Sequence, residues 1–491
     1  MLAAGLAPAQ DQPDPGAREQ QEPSYEEPSV LSGPNAFGTY ARATGAYAVE
    51  GTAASSELPS APVPQTSPDP NEPSYEGPSV LGQDSGPWQE PKGPINAFGL
   101  YAQIIGVYDS GLVPATPAQG KQAAPIASYG EEANFGVNAA HRWRRGKLGI
   151  EYRGSYWHYT NAPEFDGLDQ FLQLTYREAL ARHVILDFNS TLGSTTLANG
   201  SFSYFPLTSL DRLGIPTDEL FNNRTNYVQS RVDLAWHLTP RLTLDFGGDG
   251  FVVRRESLLL AGLNGYNARA SAAYRLTRRQ TISAIYENTY FDFQNAFGDS
   301  RLETAALGYS IGLTRQWDLS TLAGGVRVAT LGLTEVPLDP TIAALLGQNF
   351  AVVTFHNVSY LPVAEIRLAR RFKQATLTFD YSDSITPGNG LYLTSRQTSG
   401  VVTYSYVATR NLQARANVGY GELKALGQAL GTYSNLQGGI QVLYKLTGDA
   451  YLDVRYDYRR YTTGDAILEM DSNRVSVGVA FSLGETSPLA W

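Results

Sequence analysis

The chain has 491 residues, of which 17% are charged, and it contains 48 Gly, 30 Tyr, 2 Met and no Cys. Cytosolic enzymes average about 25% charged residues and use Met and Cys in their cores, so this composition favours another class of protein. The absence of Cys excludes disulfides, thiol catalysis and thiolate metal sites. The formal net charge of -10 argues against a general nucleic-acid binder, which needs a basic surface.

The N-terminus has the pattern of a signal-peptide cleavage site. Its short apolar run ends in Ala7-Pro8-Ala9, an A-x-A sequence, and we interpret residues 1–9 as the remnant of a secretory signal. An Ala-rich N-terminus without a targeting role is the alternative. No uncharged apolar stretch reaches the ~20 residues that a transmembrane helix requires, so a membrane location would have to use strands.

Residues 10–92 are rich in Pro, Glu, Ser and Gly, which predicts a disordered arm. The arm contains GPNAFGTYARATGAYAVEG at residues 33–51, a near copy of GPINAFGLYAQIIGVYDSG at residues 93–111. Each copy follows the same acidic leader, EPSYEEPSV or EPSYEGPSV. The second copy alternates large apolar residues with small or polar ones and predicts a strand. The first copy, with Arg42 and Ala43, is less apolar, and we interpret it as a surplus strand outside the wall.

From Glu132 to the end, the sequence has the period of two that is typical of strands. Leu307, Tyr309 and Ile311 share one face of a predicted strand, and small residues occupy the other face. Residues 231–238 and 451–461 repeat the pattern. One face is apolar and aromatic, and the opposite face is small or charged.

A turn motif indicates how these strands connect. An aliphatic residue followed by Ala or Thr, and usually by Arg, recurs about every 38 residues, with two longer intervals. A propeller or solenoid could also have this period, but each interval holds two strands of about 12 residues rather than four short blade strands. Each unit is therefore one long hairpin. The motif begins at Leu180, Leu238, Leu276, Leu313, Leu368, Val407 and Leu446.

Long hairpins with tight turns at one end and one apolar face are typical of a transmembrane β-barrel. The two longer intervals contain loops 198–225 and 335–351, predicted to be extracellular, opposite periplasmic tight turns. Residues after Glu132 give seventeen strands, and the second copy supplies the eighteenth, because both termini of a bacterial barrel lie in the periplasm. We predict an all-β, antiparallel up-and-down β-barrel of about 18 strands, with 16 as the alternative, over residues 93–484, followed by a tail at 485–491.

The last strand carries the most specific resemblance. Residues 476–483, SVGVAFSL, resemble the outer-membrane β-signal, in which a polar residue, a Gly and two hydrophobic residues have fixed spacing. The sequence thus resembles Gram-negative outer-membrane β-barrel proteins of porin-like type over roughly residues 93–483. This resemblance implies a bacterial outer-membrane location, contact with lipid and reading of the signal by the barrel-assembly machinery. In that family the signal usually ends the chain, whereas further residues follow it here. The signal residues are Ser476, Gly478, Phe481 and Leu483.

Charged residues recur on the face opposite the apolar one. Barrels of 16 to 18 strands can enclose an aqueous channel, in which such charges cost little and set the field that solutes meet. The alternative is that they pair across strands and brace a plugged barrel. Both signs are nearly balanced, so no ion selectivity is predicted. The predicted lumen-lining residues are Glu151, Arg153, Arg177, Arg231, Asp233, Asp245, Arg269, Arg327, Glu365, Arg367, Asp380, Arg415, Asp453, Arg455, Asp457 and Arg459.

Loop 198–225 is the predicted constriction, because it is the longest loop and combines charged residues with an aromatic cluster. A surface loop over the rim is its alternative. The sequence predicts a porin-like channel for passive diffusion of small hydrophilic solutes. The alternative is a non-conducting outer-membrane barrel that serves as an envelope anchor or surface-binding protein. The candidate constriction residues are Asp211, Arg212, Asp218 and Glu219.

No catalytic, cofactor or metal site is predicted. None of the five His lies in a recognisable nucleophile or metal spacing, although His158 and His356 are predicted near the extracellular end. The GGDG sequence at 247–250 lacks the context of a phosphate loop and indicates a strand end or bend. The Leu258-Leu259-Leu260 run is predicted to be an exposed apolar patch that contacts a ligand or another subunit of a homo-oligomer.

Overall fold

A computed structural model of the chain describes residues 96–112, 126–196, 224–257, 260–337, 350–409, 411–427, 431–463 and 469–484. These ranges contain eighteen strands and one turn of 3-10 helix, Pro163–Phe165. Within them, no helix is long and apolar enough to cross a membrane. The strands are β1 (Asn96–Leu112), β2 (Ile126–Trp143), β3 (Gly146–Tyr159), β4 (Gly167–Ala181), β5 (Val184–Thr196), β6 (Arg224–His237), β7 (Leu242–Arg255), β8 (Gly262–Thr277), β9 (Gln280–Gln294), β10 (Asp299–Gly312), β11 (Trp317–Pro337), β12 (Phe350–Arg371), β13 (Ala375–Thr386), β14 (Ser395–Val407), β15 (Leu412–Ala425), β16 (Thr432–Lys445), β17 (Ala450–Thr463) and β18 (Glu469–Gly484).

The strands close into a single barrel. Each strand pairs antiparallel with its neighbours in chain order. The last strand, β18, pairs with β1 from Gly99↔Gly484 to Asp109↔Arg474, and β1 pairs on its other side with β2. The predicted up-and-down barrel of eighteen strands is therefore confirmed. The second sequence copy forms β1, as predicted, and it is the strand that completes the wall.

Side-chain exposure alternates along the strands. In β1, Phe98 and Ile104 are 59% and 72% exposed, whereas Tyr101, Gln103 and Val107 are buried. Because successive side chains of a strand point to opposite faces, the exposed set lies outside the barrel and the buried set inside. This is the alternation that the sequence predicts for β1.

The tight turns explain the recurring motif. The Thr239 hydroxyl accepts the backbone N–H groups of Arg241 and Leu242 at 3.2 and 2.9 Å. Thr314 and Thr409 close two further turns in the same way. The aliphatic residue before each Thr or Ala faces outward and ends the apolar face of its strand. At Leu368 the motif lies inside β12 instead, and the turn follows two residues later, at 372–374.

Several predicted boundaries move. The first strand, β1, ends at Leu112, and β2 begins at Ile126, before the start of the alternating pattern at Glu132. The ends of the expected loop 335–351 belong to β11 and β12, the two longest strands. The strands extend beyond the residues that show the alternating sequence pattern, because backbone N–H and C=O groups of neighbouring strands continue to pair there. The predicted signal remnant, arm, tail and nearly all of loop 198–225 lie outside the described residues.

Candidate solute path through the barrel

The outward face of the wall is apolar around the barrel. Ile150, Val232, Leu307, Ile440 and Val479, on five well-separated strands, are 46–63% exposed. A continuous band of this kind fits hydrocarbon rather than water, and an even number of antiparallel strands is typical of bacterial outer-membrane barrels. The chain is an outer-membrane β-barrel. Its porin-like character lies in the number of strands and in the polar inward face.

The predicted lumen residues can be placed individually. All except Arg327 lie on the inward face of their strands, and whether they line a solute path stays a prediction. Arg327 pairs in register with Glu303 on one side and with the exposed Tyr360 on the other, so it faces outward. Its neighbours Val326 and Val328 occupy the inward face instead. The assumption that charge marks the inside is wrong at this position, because the inner side of β11 is apolar beside Arg327.

Four inward residues of β6, β7 and β8 form a charge cluster. The Asp233 carboxylate accepts a hydrogen bond from Arg231 Nε at 2.5 Å and another from Arg269. Arg269 also lies 3.4 Å from Asp249 and has a fully buried side chain. Alternating positive and negative groups offset the cost of taking these charges out of bulk water. The sequence predicted three of the four members and missed Asp249, whose inward position follows from the alternation of β7.

Gly247 makes this cluster possible. It lies on β7, in register between Asp233 on β6 and Arg269 on β8. A Cβ atom at this position would lie 2.1 Å from Asp233 Oδ1 and 3.0 Å from Arg269 Nε. Gly therefore allows the two side chains to meet over the intervening strand. The GGDG sequence lies inside β7 rather than at a strand end, and close approach of side chains explains its first Gly.

A second group of polar contacts crosses the seam where the barrel closes. Arg474 on β18 donates to Glu132 on β2 at 2.6 Å, over the intervening β1. Gln103 on β1 donates to Asp453 on β17 at 2.6 Å, over the intervening β18. These contacts tie strands that are not hydrogen-bonded to each other through their backbones. Sequence reasoning missed Gln103, Glu132 and Arg474 as site residues, although alternation places all three on the inward face.

The remaining predicted charges differ in pairing. Arg153 pairs with Glu151 on its own strand, and Arg455 pairs with Asp457 in the same way at 2.6 Å. Arg415 takes part in none of the ion pairs between described residues and is separated from Arg455 by Gln441 in the register. Two predicted arginines pair across strands: Arg177 with Asp187, which was not predicted, at 3.5 Å, and Arg367 with the predicted Asp380 at 3.6 Å.

Part of the inward face of β9–β12 is apolar, and we call this set of hydrophobic residues the apolar sector. Its residues pack with neighbouring side chains into one buried cluster. Exposing such residues to water is unfavourable in free energy, so an apolar inner wall requires a cover. The apolar sector consists of Ile285, Phe291, Phe293, Leu302, Ala306, Leu322, Val326, Val328, Leu361 and Val363.

The cover is provided by residues 387–394 between β13 and β14, which we call the inward loop. Asn389, Tyr392 and Thr394 are at most 3% exposed. The Ala261 N–H donates to Gly390 O at 3.0 Å, and the Ser300 and Thr394 hydroxyl oxygens are 2.5 Å apart. Leu393, in the loop, packs against the same cluster as the apolar sector. The inward loop thus contacts the β7–β8 connection and β10, far from its own strands.

These contacts place the inward loop across the interior. Five strand spacings separate β8 from β13, which corresponds to about 24 Å along the wall. A loop of eight residues that starts and ends at the β13–β14 rim reaches Ala261 only by leaving the wall. Among the described residues, this loop is the best candidate for a constriction. The predicted constriction residues Asp211, Arg212, Asp218 and Glu219 lie outside the described residues.

The sequence of the inward loop explains its shape. Gly388 and Gly390 have φ angles of +72° and +86°, in the left-handed region that favours Gly. The Asn389 side-chain oxygen accepts the N–H groups of Leu391 and Tyr392 at 3.2 and 2.9 Å. Pro387 followed by Gly-Asn-Gly is a strong turn signal, but a turn signal does not indicate that this short loop, rather than the long loop 198–225, enters the interior.

Two other sequence predictions are revised at the loop end. Leu260 is buried, so the Leu258–Leu260 run is not an exposed patch at that residue, and the other two residues lie outside the described set. His158 has a carboxylate partner that the sequence did not reveal, since its Nδ1 lies 2.7 Å from Asp166 Oδ2. Asp166 Oδ1 also accepts the Tyr159 N–H at 2.7 Å, so this pair shapes the β3–β4 connection.

Comparisons with known proteins give a similarity of architecture. No protein-family model and no curated protein matches the sequence. Solved structures that resemble the chain include Pseudomonas aeruginosa OpdQ, at 11% identity and a TM-score of 0.40, and OccK2 (OpdF) in complex with glucuronate, at 12% identity and a TM-score of 0.40. OpdK from the same organism has 13% identity and a TM-score of 0.40. Each alignment covers 79% of this chain and 98–99% of the other chain.

Proposed function

We propose that the barrel is a porin-like channel for passive diffusion of small hydrophilic solutes. The observation that carries this proposal is the contrast between an apolar outward face and an inward face with charged residues on β1–β8 and β13–β18. Charges lining water cost little free energy, whereas the same number in a dry core would require complete pairing. The position of Arg415, outside the ion pairs of the described residues, supports a hydrated interior on its side of the barrel.

The solute range follows from the same charges. Arg153, Arg455 and Arg459 alternate with Glu151, Asp453 and Asp457 on the inward face, so the path offers both signs within short distances. Such a lining favours hydrated polar solutes and does not select strongly by charge. We infer that the chain has no enzymatic activity, since Asp166, the carboxylate partner of His158, also accepts the Tyr159 N–H and thereby holds the β3–β4 connection in place.

A specific observation favours a second candidate. The inward loop covers the apolar sector and occupies part of the interior, as expected of a non-conducting barrel that serves as an envelope anchor or surface-binding protein. In that case the inward charges would brace the wall rather than line a path.

Conductance in planar bilayers separates the two candidates. The purified full chain, folded as judged by heat-modifiable migration on gels, would be added to one side of the membrane. Discrete, ohmic conductance steps in KCl are the expected result. Folded protein that inserts without conductance steps would contradict the channel and support the anchor.

A further inference from the structure

The outward face of β3–β7 has a sharp boundary between apolar and polar residues. Tyr152, Leu172, Leu192, Val228 and Val252 lie in register on successive strands and form an apolar row. Because outward residues of neighbouring strands adjoin each other, the row is continuous along the outer wall. It marks the edge of the surface that contacts hydrocarbon.

A polar row lies directly beside it, two residues nearer the loop end of each strand. Gln170, Ser194, Asn226 and Arg254 are in register with one another. Arg224 follows one step further toward the loops on β6. The loop end of a bacterial barrel faces the cell exterior, so this change from apolar to polar corresponds to the headgroup level of the outer leaflet.

The wall is concave at this boundary. Two adjoining grooves share Val228 and Val252, and Arg254 lines the rim of one of them. Gly250 forms part of the groove floor, and a Cβ atom there would meet nothing closer than the Gly265 carbonyl oxygen at 4.0 Å. The groove is therefore open beside an apolar lining, which suits a hydrocarbon chain.

Two guanidinium groups, those of Arg254 and Arg224, lie at the loop-end edge of the groove. Arg254 Nη1 donates to Asn264 Oδ1 at 2.9 Å and takes part in none of the ion pairs between described residues. Arg224 Nη1 donates to Leu168 O and Ser194 Oγ at 3.1 and 3.2 Å. Its Nε is 3.9 Å from Glu256, whose side chain is 65% exposed, so this ion pair is loose. Both groups keep N–H donors for an oxyanion, and guanidinium binds phosphate by paired hydrogen bonds.

We propose that this surface, which we call the lipid groove, binds a phosphorylated lipid of the outer leaflet. One acyl chain lies along the apolar row over Gly250, and the headgroup phosphate contacts Arg254 and Arg224. The apolar floor and the cationic rim match the two parts of such a lipid at the level where each occurs in the membrane. Neither a soluble anion nor an uncharged lipid matches both parts. The site lies on the outer wall and does not depend on whether the interior conducts.

Native mass spectrometry of the full-length barrel in detergent tests the proposal, with diphosphorylated lipid A and the same lipid after removal of its phosphates as probes. Arg224→Gln with Arg254→Gln should weaken binding of the phosphorylated lipid about 25-fold, at about fivefold for each guanidinium. Gly250→Leu should fill the groove and reduce binding of both lipids. Gly400→Leu is the matched control, because Gly400 is another strand Gly with nothing within 4 Å of an added Cβ, on β14.

The results separate the lipid groove from its alternatives. Unchanged binding in both groove variants would overturn the proposal, as would equal affinity for the two lipids in the wild-type chain. Displacement of the phosphorylated lipid by millimolar inorganic phosphate would show that the arginines bind free phosphate, and would also overturn it. All variants should retain heat-modifiable migration, since outward side chains make no contact with the interior.

Discussion

The inner wall of the barrel has two unlike regions. The charged region, on β1–β8 and β13–β18, joins strands on either side of an intervening strand by contacts such as Asp233–Arg269 and Glu132–Arg474. The apolar sector, on part of the inner side of β9–β12, consists of hydrophobic side chains in one buried cluster, and Leu393 of the inward loop packs against it. Polar contacts such as Ser300–Thr330 and Arg367–Asp380 involve the same strands. β11 carries apolar residues on both faces, with Arg327 on the outer one, so membrane lipid covers the outer face and a loop covers the apolar part of the inner face. The difference shows that apolar side chains of the inner wall are kept from water by a segment of the same chain.

Removal of the inward loop should have the largest effect of the changes that test the difference between the two regions. Replacing residues 388–393 by two Gly would expose the apolar sector and widen the path, so conductance should increase severalfold in planar bilayers. The matched control shortens the β17–β18 connection by removing residues 465–467 at the same end of the barrel. Equal conductance in both variants and the wild type would mean that the inward loop does not limit the path.

The charged region can be tested by reversing its sign. Arg455→Glu with Arg459→Glu places new negative charge on the inward face, so the reversal potential in a KCl gradient should shift toward cation selectivity. The same change at Arg327, which faces outward, should leave the reversal potential unchanged. A shift of equal size from Arg327→Glu would contradict the assignment of the two faces.

A smaller effect is expected from separating two partners of the charge cluster. Gly247→Ala places a methyl group against Asp233 and Arg269 and should lower the free energy of unfolding by about 1–3 kcal/mol. Gly400→Ala provides the control, since nothing lies within 4 Å of its added Cβ. The measurement is urea unfolding in detergent, followed by tryptophan fluorescence. Equal midpoints for the two variants would show that the cluster tolerates the displacement.

The smallest effect concerns pH and the inward loop. Burial raises the pKa of the Tyr392 phenol above its ordinary value of 10.0. The neutral phenol therefore stabilises the loop fully below pH 10, and this contribution is lost as the pH rises through the higher pKa of the folded state. Conductance of the wild type should increase modestly above pH 10 and that of Tyr392→Phe should not. The same alkaline increase in both proteins would assign it to another group.

Much of the architecture follows from the sequence, because two periodicities specify it. Alternation along β1 places Phe98 outside and Gln103 inside, and the turn motif with Thr239 fixes where a hairpin ends. Both patterns are local and repeat, so they can be read without knowing what lies across the barrel. The strand count then follows from the rule that a bacterial barrel with both termini in the periplasm has an even number of strands.

The parts that could not be predicted depend on contacts between distant segments. The inward loop is short, and its position in the interior depends on contacts with Ala261 and Ser300, which lie more than ninety residues earlier in the chain. From the sequence, Arg327 is assigned to the inward face because charged residues are assumed to lie inside. That assumption fails here, because Val326 and Val328 occupy the inner face of β11. Gly247 likewise has meaning only when Asp233 and Arg269 are known to flank it.

Closure by β1 also constrains how such a chain can grow during evolution. Duplication of a hairpin adds two strands and leaves both ends of the wall on the same side of the membrane. A single extra strand would move one end to the opposite side and leave an unpaired edge in lipid, where each unsatisfied backbone group costs several kcal/mol. The sequence GPNAFGTYARATGAYAVEG duplicates one strand and not a pair. The closed wall needs no further strand, so selection does not preserve a strand-like sequence in such a copy. The replacement of Gln103 by Arg42 at the equivalent position illustrates this divergence.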